Sequence, residues 1–450
     1  MLPLINRVFF LTVIFLYFVL FFKVTEDFKL IFIFATLNAI AYFLVLQYHT
    51  LLPKQKYNRR GVRDDLIIKV FIYSILAVAI ENFISYYYRS NFFLFNESDA
   101  MFYHGSTIEI IDMSFLKGIS YYLSFMGFDD LGIILILYPL YNIFASNTTL
   151  NLFYIIIGVL TALSIFNIAQ YFMSRKYAYL SALAYSTSSF VLYFHGTGLK
   201  ESFMVALILF SFNFYFIFLK SSKGVYLILS LIFALWVMLF RPILTVMLIA
   251  SIGIGTLFGK KTKRGVKIFA LILFTALILF GGSINQQITS YTTGGVDSLI
   301  NAREAEGGII GGVLFTYSVN ILSQLIGPLP TVISMSKVGT MFYTAGLIYR
   351  VLLAFPFWLG VLYVVKRKVE RLYPLIIFTF MEMSALAYLI DGLELRKAMP
   401  HIPYIFIVAF WFLDKYDRKL IKFRGDTSFK RLFWGSMVVL VILMCYWNFR

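Results

Sequence analysis

The residues that suggest chemistry stand at 96–104, in the run NESDAMFYH. Asp99 opens the pattern Asp-x-x-x-Tyr-His, and on a helix Asp99, Tyr103 and Thr107 share one face. Two readings of Asp99 stand. It is a helix-capping carboxylate in a solvated loop, or it is a general base that removes a proton from an acceptor hydroxyl. Glu97 is the alternative base, and His104 and Tyr103 are placed to orient what binds.

Further candidates follow along the chain. The turn His195-Gly-Thr-Gly-Leu-Lys200-Glu201 joins two apolar runs. Its glycines let backbone approach a ligand or simply close a short hairpin. Lys200 opening a helix conflicts with the helix dipole, which Glu201 partly offsets. Arg241-Pro242 lies between two apolar runs with almost no loop. At that depth an arginine costs a few kcal/mol and needs a counter-ion, unless it snorkels to the headgroups. Asp391-Gly-Leu-Glu394-Leu-Arg396-Lys397 supplies two more cations, with His401 just beyond. Glu81 and Glu382, inside apolar runs, read as structural carboxylates.

The elements that position these groups are dictated by composition. The chain has 450 residues, 60% of them hydrophobic and 14% charged, against about 25% charged in soluble proteins. Its mean hydropathy is +0.84. Many uncharged runs approach the roughly 20 residues that cross hydrocarbon. The sequence therefore predicts an all-α polytopic membrane protein. The apolar run after Arg7 reads as a retained first span, because no small-residue cleavage site precedes Lys23.

Net charge is +17, but its distribution excludes a nucleic-acid partner. Of 39 Lys and Arg, 25 fall in short stretches at 54–63, 175–176, 220–223, 260–267, 366–371 and 415–431. That is the positive-inside pattern of cytoplasmic loops, with anionic membrane lipids as further partners. The single cysteine, Cys445, excludes disulfide frameworks and Cys-based metal sites. The four histidines fall in separate segments, so no metal site is expected. A weak divalent-ion site at Asp99 and a neighbour stays open, and no other cofactor is implied. No P-loop or dinucleotide fingerprint occurs.

Pinning the basic loops inside predicts about 13 spans. They are expected near 6–23, 29–49, 67–88, 152–172, 178–194, 202–219, 224–240, 243–258, 266–284, 341–365, 372–390, 401–413 and 432–448. All 450 residues then form one transmembrane domain. Residues 89–151 become a first outer loop with interfacial helices, where Asp129-Asp130 and Pro139 make 131–144 a poor span. Residues 281–340 become a second outer loop, with 313–333 interfacial or re-entrant. Asp99, Lys200, Arg241, Arg396 and Lys397 fall on the outer side. A cation there breaks the positive-inside bias and calls for an anionic partner, such as a phosphate.

An outer loop opening on an acidic residue, then Tyr-His, then surface-lying helices resembles the GT-C membrane glycosyltransferases. The segment from Tyr193, with Gly198-Leu-Lys200-Glu201 opening a long apolar helix, is similar to uncharacterised bacterial relatives and some surface-polysaccharide polymerases. Arg241-Pro242 and Arg396 resemble their outer-face arginines. Ser98 between Glu97 and Asp99 departs from a clean acidic pair, and the large soluble outer domain of many members is missing.

The resemblance implies an inverting glycosyltransferase that uses a polyprenyl-(pyro)phosphate-linked sugar donor and a glycan or lipid acceptor. It implies an O-antigen-like polymerase in the bacterial inner membrane, with its active site facing the periplasm, working beside other polysaccharide-assembly proteins. Asp99 or Glu97 would be the base. Lys200, Arg241, Arg396 and Lys397 would hold phosphate, and Tyr103, His104, His195, Glu201 and His401 would line the substrate. A transferase of single sugars is the nearest alternative. A lipid-linked oligosaccharide flippase is the alternative of another class, although transporters more often place charges near the midplane.

Overall fold

The computed structural model describes residues 1–58, 60–90, 99–126, 130–258, 313–333, 339–388, 395–421 and 426–449. Among the described residues every regular element is a helix. In order they are α1 (Leu2–Phe21), α2 (Glu26–Leu51), α3 (Val62–Arg89), α4 (Asp99–Ile110), α5 (Phe115–Met126), α6 (Leu131–Ile143) and α7 (Asn147–Gln170). Next come α8 (Arg175–Ser186), α9 (Ser189–Gly196), α10 (Glu201–Ser221), α11 (Gly224–Val237) and α12 (Pro242–Phe258). The last are α13 (Val313–Ile326), α14 (Thr340–Leu352), α15 (Ala354–Arg367), α16 (Tyr373–Tyr388), α17 (Leu395–Ala398), α18 (Ile402–Asp417) and α19 (Asp426–Phe449).

The chain is a helical, multi-pass membrane protein. Among the described residues six helices are long and apolar enough to cross a bilayer: α1, α2, α3, α7, α10 and α19. A seventh span arises if α14 and α15, bent by 40° at Leu353, count as one. The expected span at 178–194 is instead two helices, α8 and α9, interrupted at Thr187-Ser188. At 14 residues, α11 reaches only about 21 Å, short of a roughly 30 Å hydrocarbon layer. The expected span at 266–284 lies outside the described residues. In the 89–151 segment, α4, α5 and α6 have 12, 12 and 13 residues, so none crosses alone. Residues 313–333 form α13 and then leave helical geometry at Gly327, as Pro328 and Pro330 require.

Local signals account for several boundaries. Ser146 caps α7 by accepting the Thr149 N–H at 3.3 Å, the usual serine N-cap. Pro3, Pro242 and Pro403 sit in the first turns of α1, α12 and α18, where their missing N–H costs nothing. Burial separates the interior from the lipid-facing wall. The apolar window of α10 is 72% buried and that of α19 only 22%. Large side chains left exposed on α1, α2, α3 and α19, such as Phe18, Leu44, Leu76 and Ile442, are the surface that hydrocarbon covers.

The two ends of the bundle differ. Lys176 donates to the carbonyls of Thr50 and Leu52 at 2.7 and 2.6 Å, and Arg175 to that of Asn58 at 3.4 Å. Tyr177 donates to Asp417. The basic loops at 54–63, 175–176 and 415–418 thus meet at one end. The opposite ends of α10 and α18 carry Glu201 and His401. The 21 residues of α10 span about 31 Å, a membrane thickness away from Lys220.

Candidate functional site

At that opposite end, short segments far apart in sequence bring their charges together. Helix α4 begins at Asp99 and presents Tyr103 one turn later. The Thr107 hydroxyl, on the same face, donates to the Tyr103 carbonyl at 2.7 Å. Helix α6 begins at Asp130, a non-glycine in left-handed conformation with φ 60°. That conformation fixes the carboxylate between two donors. The Tyr103 hydroxyl donates to Asp130 Oδ2 at 3.0 Å, and Lys200 Nζ donates to Oδ1. The position of α6 is set by the Gly132 N–H donating to the Leu239 carbonyl at 2.9 Å. A Cβ at Gly132 would lie 2.3 Å from the Phe240 ring.

Lys200 and Glu201 open α10. Glu201 Oε1 accepts from Arg241 Nη2 at 3.2 Å, while Oε2 accepts no hydrogen bond. Arg396, on α17, donates to Asp99 Oδ2. The three ion pairs are graded in depth. Asp99 and Arg396 are each 36% exposed, Asp130 and Lys200 21% and 14%, and Glu201 1% beside Arg241 at 24%. The outermost pair is open to solutes and the innermost carboxylate is sealed.

Tyr103 sits between the pairs. Burial first, then the carboxylates of Asp130, Glu201 and Asp99, drive its phenol far above the ordinary range, because each disfavours a second negative charge. Tyr103 is therefore a fixed donor. His104 Nδ1 lies 2.8 Å from the Tyr141 hydroxyl, and burial lowers its pKa.

The sequence expectations fare unevenly. Asp99, Tyr103, Lys200, Glu201, Arg241 and Arg396 do converge. His104 lies on α4 beside them but faces Tyr141. The cations expected to await a phosphate already hold carboxylates: Lys200 has Asp130, Arg241 has Glu201, and Arg396 has Asp99. The counter-ion that Arg241 calls for is thus a protein carboxylate, Glu201. Lys397 lies half-buried on α17. Glu97, Asp129, Asp391 and Glu394 lie outside the described residues.

Two of the histidines expected to line the substrate, His195 and His401, are buried. His195 is 2% exposed in the last turn of α9. It fills space left by Gly158, where a Cβ would stand 2.4 Å from its Cε1. The turn after it closes through Gly198 at φ +71°, which is the hairpin role of that glycine. His401 precedes α18, is 2% exposed, and places Nδ1 3.3 Å from Glu382 Oε2. His195 is enclosed where α7 brings Gly158 against it, and His401 where α16 brings Glu382 against it. Among the described residues no group of three His, Cys, Asp or Glu is placed to hold a metal.

Two ionisable residues went unassigned in the sequence. Asp130 read only as an obstacle to a span, yet it ties Tyr103 to Lys200. Arg350 was the other. It is 1% exposed on α14, donates to the Ile326 carbonyl at 2.9 Å, has an unpartnered Nε, and among the described residues pairs with no carboxylate. Gly327, at φ +107°, lets the backbone pass this guanidinium, since a Cβ there would lie 3.2 Å from Nη1. The available signal was a lone arginine inside the apolar run 341–365, and an intramembrane charge is a functional candidate by default.

No protein-family model matches the chain, and no curated protein matches it either.

Proposed function

We propose that this protein is an inverting membrane glycosyltransferase that takes sugar from a polyprenyl-(pyro)phosphate donor at the outer leaflet. The observation that carries the reading is the Asp99–Arg396 pair, half open at the mouth of a polar cluster whose deeper cations are held by their own carboxylates. A donor phosphate arriving at the mouth competes for Arg396. As the guanidinium turns to phosphate, Asp99 is released from that contact and acts as the base. It takes the proton of the acceptor hydroxyl, whose oxygen forms the new bond to the anomeric carbon. The bond from that carbon to the phosphate oxygen breaks, and the phosphate leaves with the electron pair, stabilised by Arg396. Cations positioned before the reaction favour charge that grows at the leaving group.

The finer assignment is a GT-C-like fold with about 13 spans, in a bacterial inner membrane, with the cluster facing the periplasm. Polymerisation of surface-polysaccharide repeat units is the favoured reaction, in company with other assembly proteins. Transfer of one sugar to a lipid or glycan is the near alternative. A second reading rests on Glu382, His401 and Arg350, ionisable groups buried inside the bundle. Charges so placed also suit a lipid-linked oligosaccharide flippase.

The test uses purified protein in nanodiscs with polyprenyl-pyrophosphate-linked oligosaccharide. Extension by the wild type, lost in a folded Asp99→Asn variant, is the expected result. Passage of the lipid-linked sugar across a bilayer without any transfer would replace the enzyme with the flippase.

A further inference from the structure

A second polar feature lies at the other end of the molecule, where the basic loops gather. A cavity of about 560 Å³ opens there, lined by Tyr171 and Phe172 from the end of α7, Tyr363 and Arg367 from α15, and Trp411 and Lys415 from α18. Val369, Arg371 and Leu420 complete it. Its volume falls within the range of about 300–1,000 Å³ typical of ligand sites.

The charges are one-sided. Among the described residues Arg367, Arg371 and Lys415 form no ion pair, and the Arg367 guanidinium stands over the Tyr363 ring, 5.7 Å from its centroid. Glu370 lies between Val369 and Arg371 in sequence and is not among the lining residues, and Asp414, beside Lys415, is engaged by other groups. It accepts from the Ser174 N–H at 3.1 Å and lies 3.5 Å from Arg418 Nη1. Lys366, Lys368 and Arg418 lie beside the lining residues in sequence, as do Glu370 and Asp417. Burial already weakens Lys415 as a cation, which an approaching anion would reverse.

The walls are aromatic. Tyr and Trp concentrate where a membrane protein meets headgroups, and basic pockets between helices on the cytoplasmic side suit anionic headgroups. A soluble anion would use the cations alone, whereas a lipid would also use the rings and the apolar rim of Val369 and Leu420.

The geometry points to an inner-leaflet site for the phosphate of an anionic phospholipid, held by Arg367, Arg371 and Lys415 between the ends of α7, α15 and α18. It is independent of the glycosyltransferase reading, because none of its residues belongs to the opposite cluster.

Native mass spectrometry of the full chain, offered phosphatidylglycerol and phosphatidylcholine in detergent, tests it. The wild type is expected to retain phosphatidylglycerol severalfold over phosphatidylcholine. The R367Q/R371Q/K415Q variant should lose that preference, and R371Q alone should weaken it about fivefold, which serves if the triple variant does not fold. K223Q, with the same charge change in another basic loop, should keep it. The site is overturned if the wild type shows no preference or if K223Q loses as much as R371Q. It is also overturned as a lipid site if glycerol 3-phosphate at equal concentration displaces the lipid, since a free phosphate would then be the ligand.

Discussion

Asp99 accepts a hydrogen bond from Arg396 across 297 positions of sequence, joining the first turn of α4 to the four-residue α17. Both side chains are 36% exposed, and ion pairs open to water contribute only about 0–1 kcal/mol. The contact is therefore weak as a fold stabiliser and easily exchanged for another anion. Asp99→Asn and Arg396→Gln should each shift thermal unfolding little. Each should lower sugar transfer by about 10²–10⁴-fold, the usual effect of removing a positioned acid–base group or charge stabiliser. Transfer assays beside melting curves of the same preparations make the check. Activity retained in Asp99→Asn would remove it as the base.

Asp130 presents the opposite balance. Its carboxylate joins Tyr103 on α4 to Lys200 at the start of α10, and all three are largely withdrawn from solvent. Asp130→Asn leaves a partly buried ammonium without its counter-charge, at a cost of about 1–3 kcal/mol. Adding Lys200→Met removes the stranded charge and should recover much of that loss. Thermal unfolding in one detergent measures both, and equal melting of the single and double variants would deny the coupling.

How far the site was legible in the sequence follows from the physics of each residue. Arg241 announced a counter-ion because a cation between two apolar runs needs one, and Glu201 is that partner. Lys200 was conspicuous for its conflict with the helix dipole, but its partner Asp130 lies 70 positions away, a pairing no local pattern encodes. The long spans α1, α2, α7, α10 and α19 were readable from uncharged runs, and α3 from its apolar composition despite Lys69 and Glu81. The break between α8 and α9 was not, since residues 178–194 are apolar enough for one span and the interruption is carried by Ser and Thr near 186–189. The burial of His195 and His401 was not readable, for one reason. A histidine beside a turn looks exposed, and only the packing of Gly158 against one, and Glu382 against the other, encloses them.

Arg350 allows a sharper distinction between structure and function. A guanidinium enclosed among apolar helices costs a few kcal/mol on insertion scales, and here one carbonyl is its hydrogen-bond partner. Arg350→Met keeps an unbranched side chain and removes the charge. If Arg350 is structural ballast, this variant melts at or above the wild-type temperature and transfers sugar normally. The expected outcome is unchanged or raised melting with a higher KM for the lipid-linked donor, because a buried cation without a carboxylate is available to an anion. Donor-titration kinetics separate the two.

His104 sets an acid limit on the site. Its Nδ1 meets the Tyr141 hydroxyl at 2.8 Å, and burial holds its pKa below the ordinary 6.5. The folded protein thus binds a proton at His104 less readily than the unfolded chain does. As pH falls below about 6.5, unfolded chains gain that proton first, and stability drops until the folded-state pKa is passed. Above 6.5 both states are neutral and His104 adds no slope. Protonation also turns Nδ1 into a donor, so the Tyr141 hydroxyl can no longer donate to it. His104→Gln keeps a polar group of similar reach and does not titrate. Between about pH 7.5 and about pH 5 the wild type should lose more thermal stability than the variant, with the two curves parallel at higher pH. Parallel curves throughout would mean that His104 is as solvated as a free imidazole and that α4 does not pack on α6 through Tyr141.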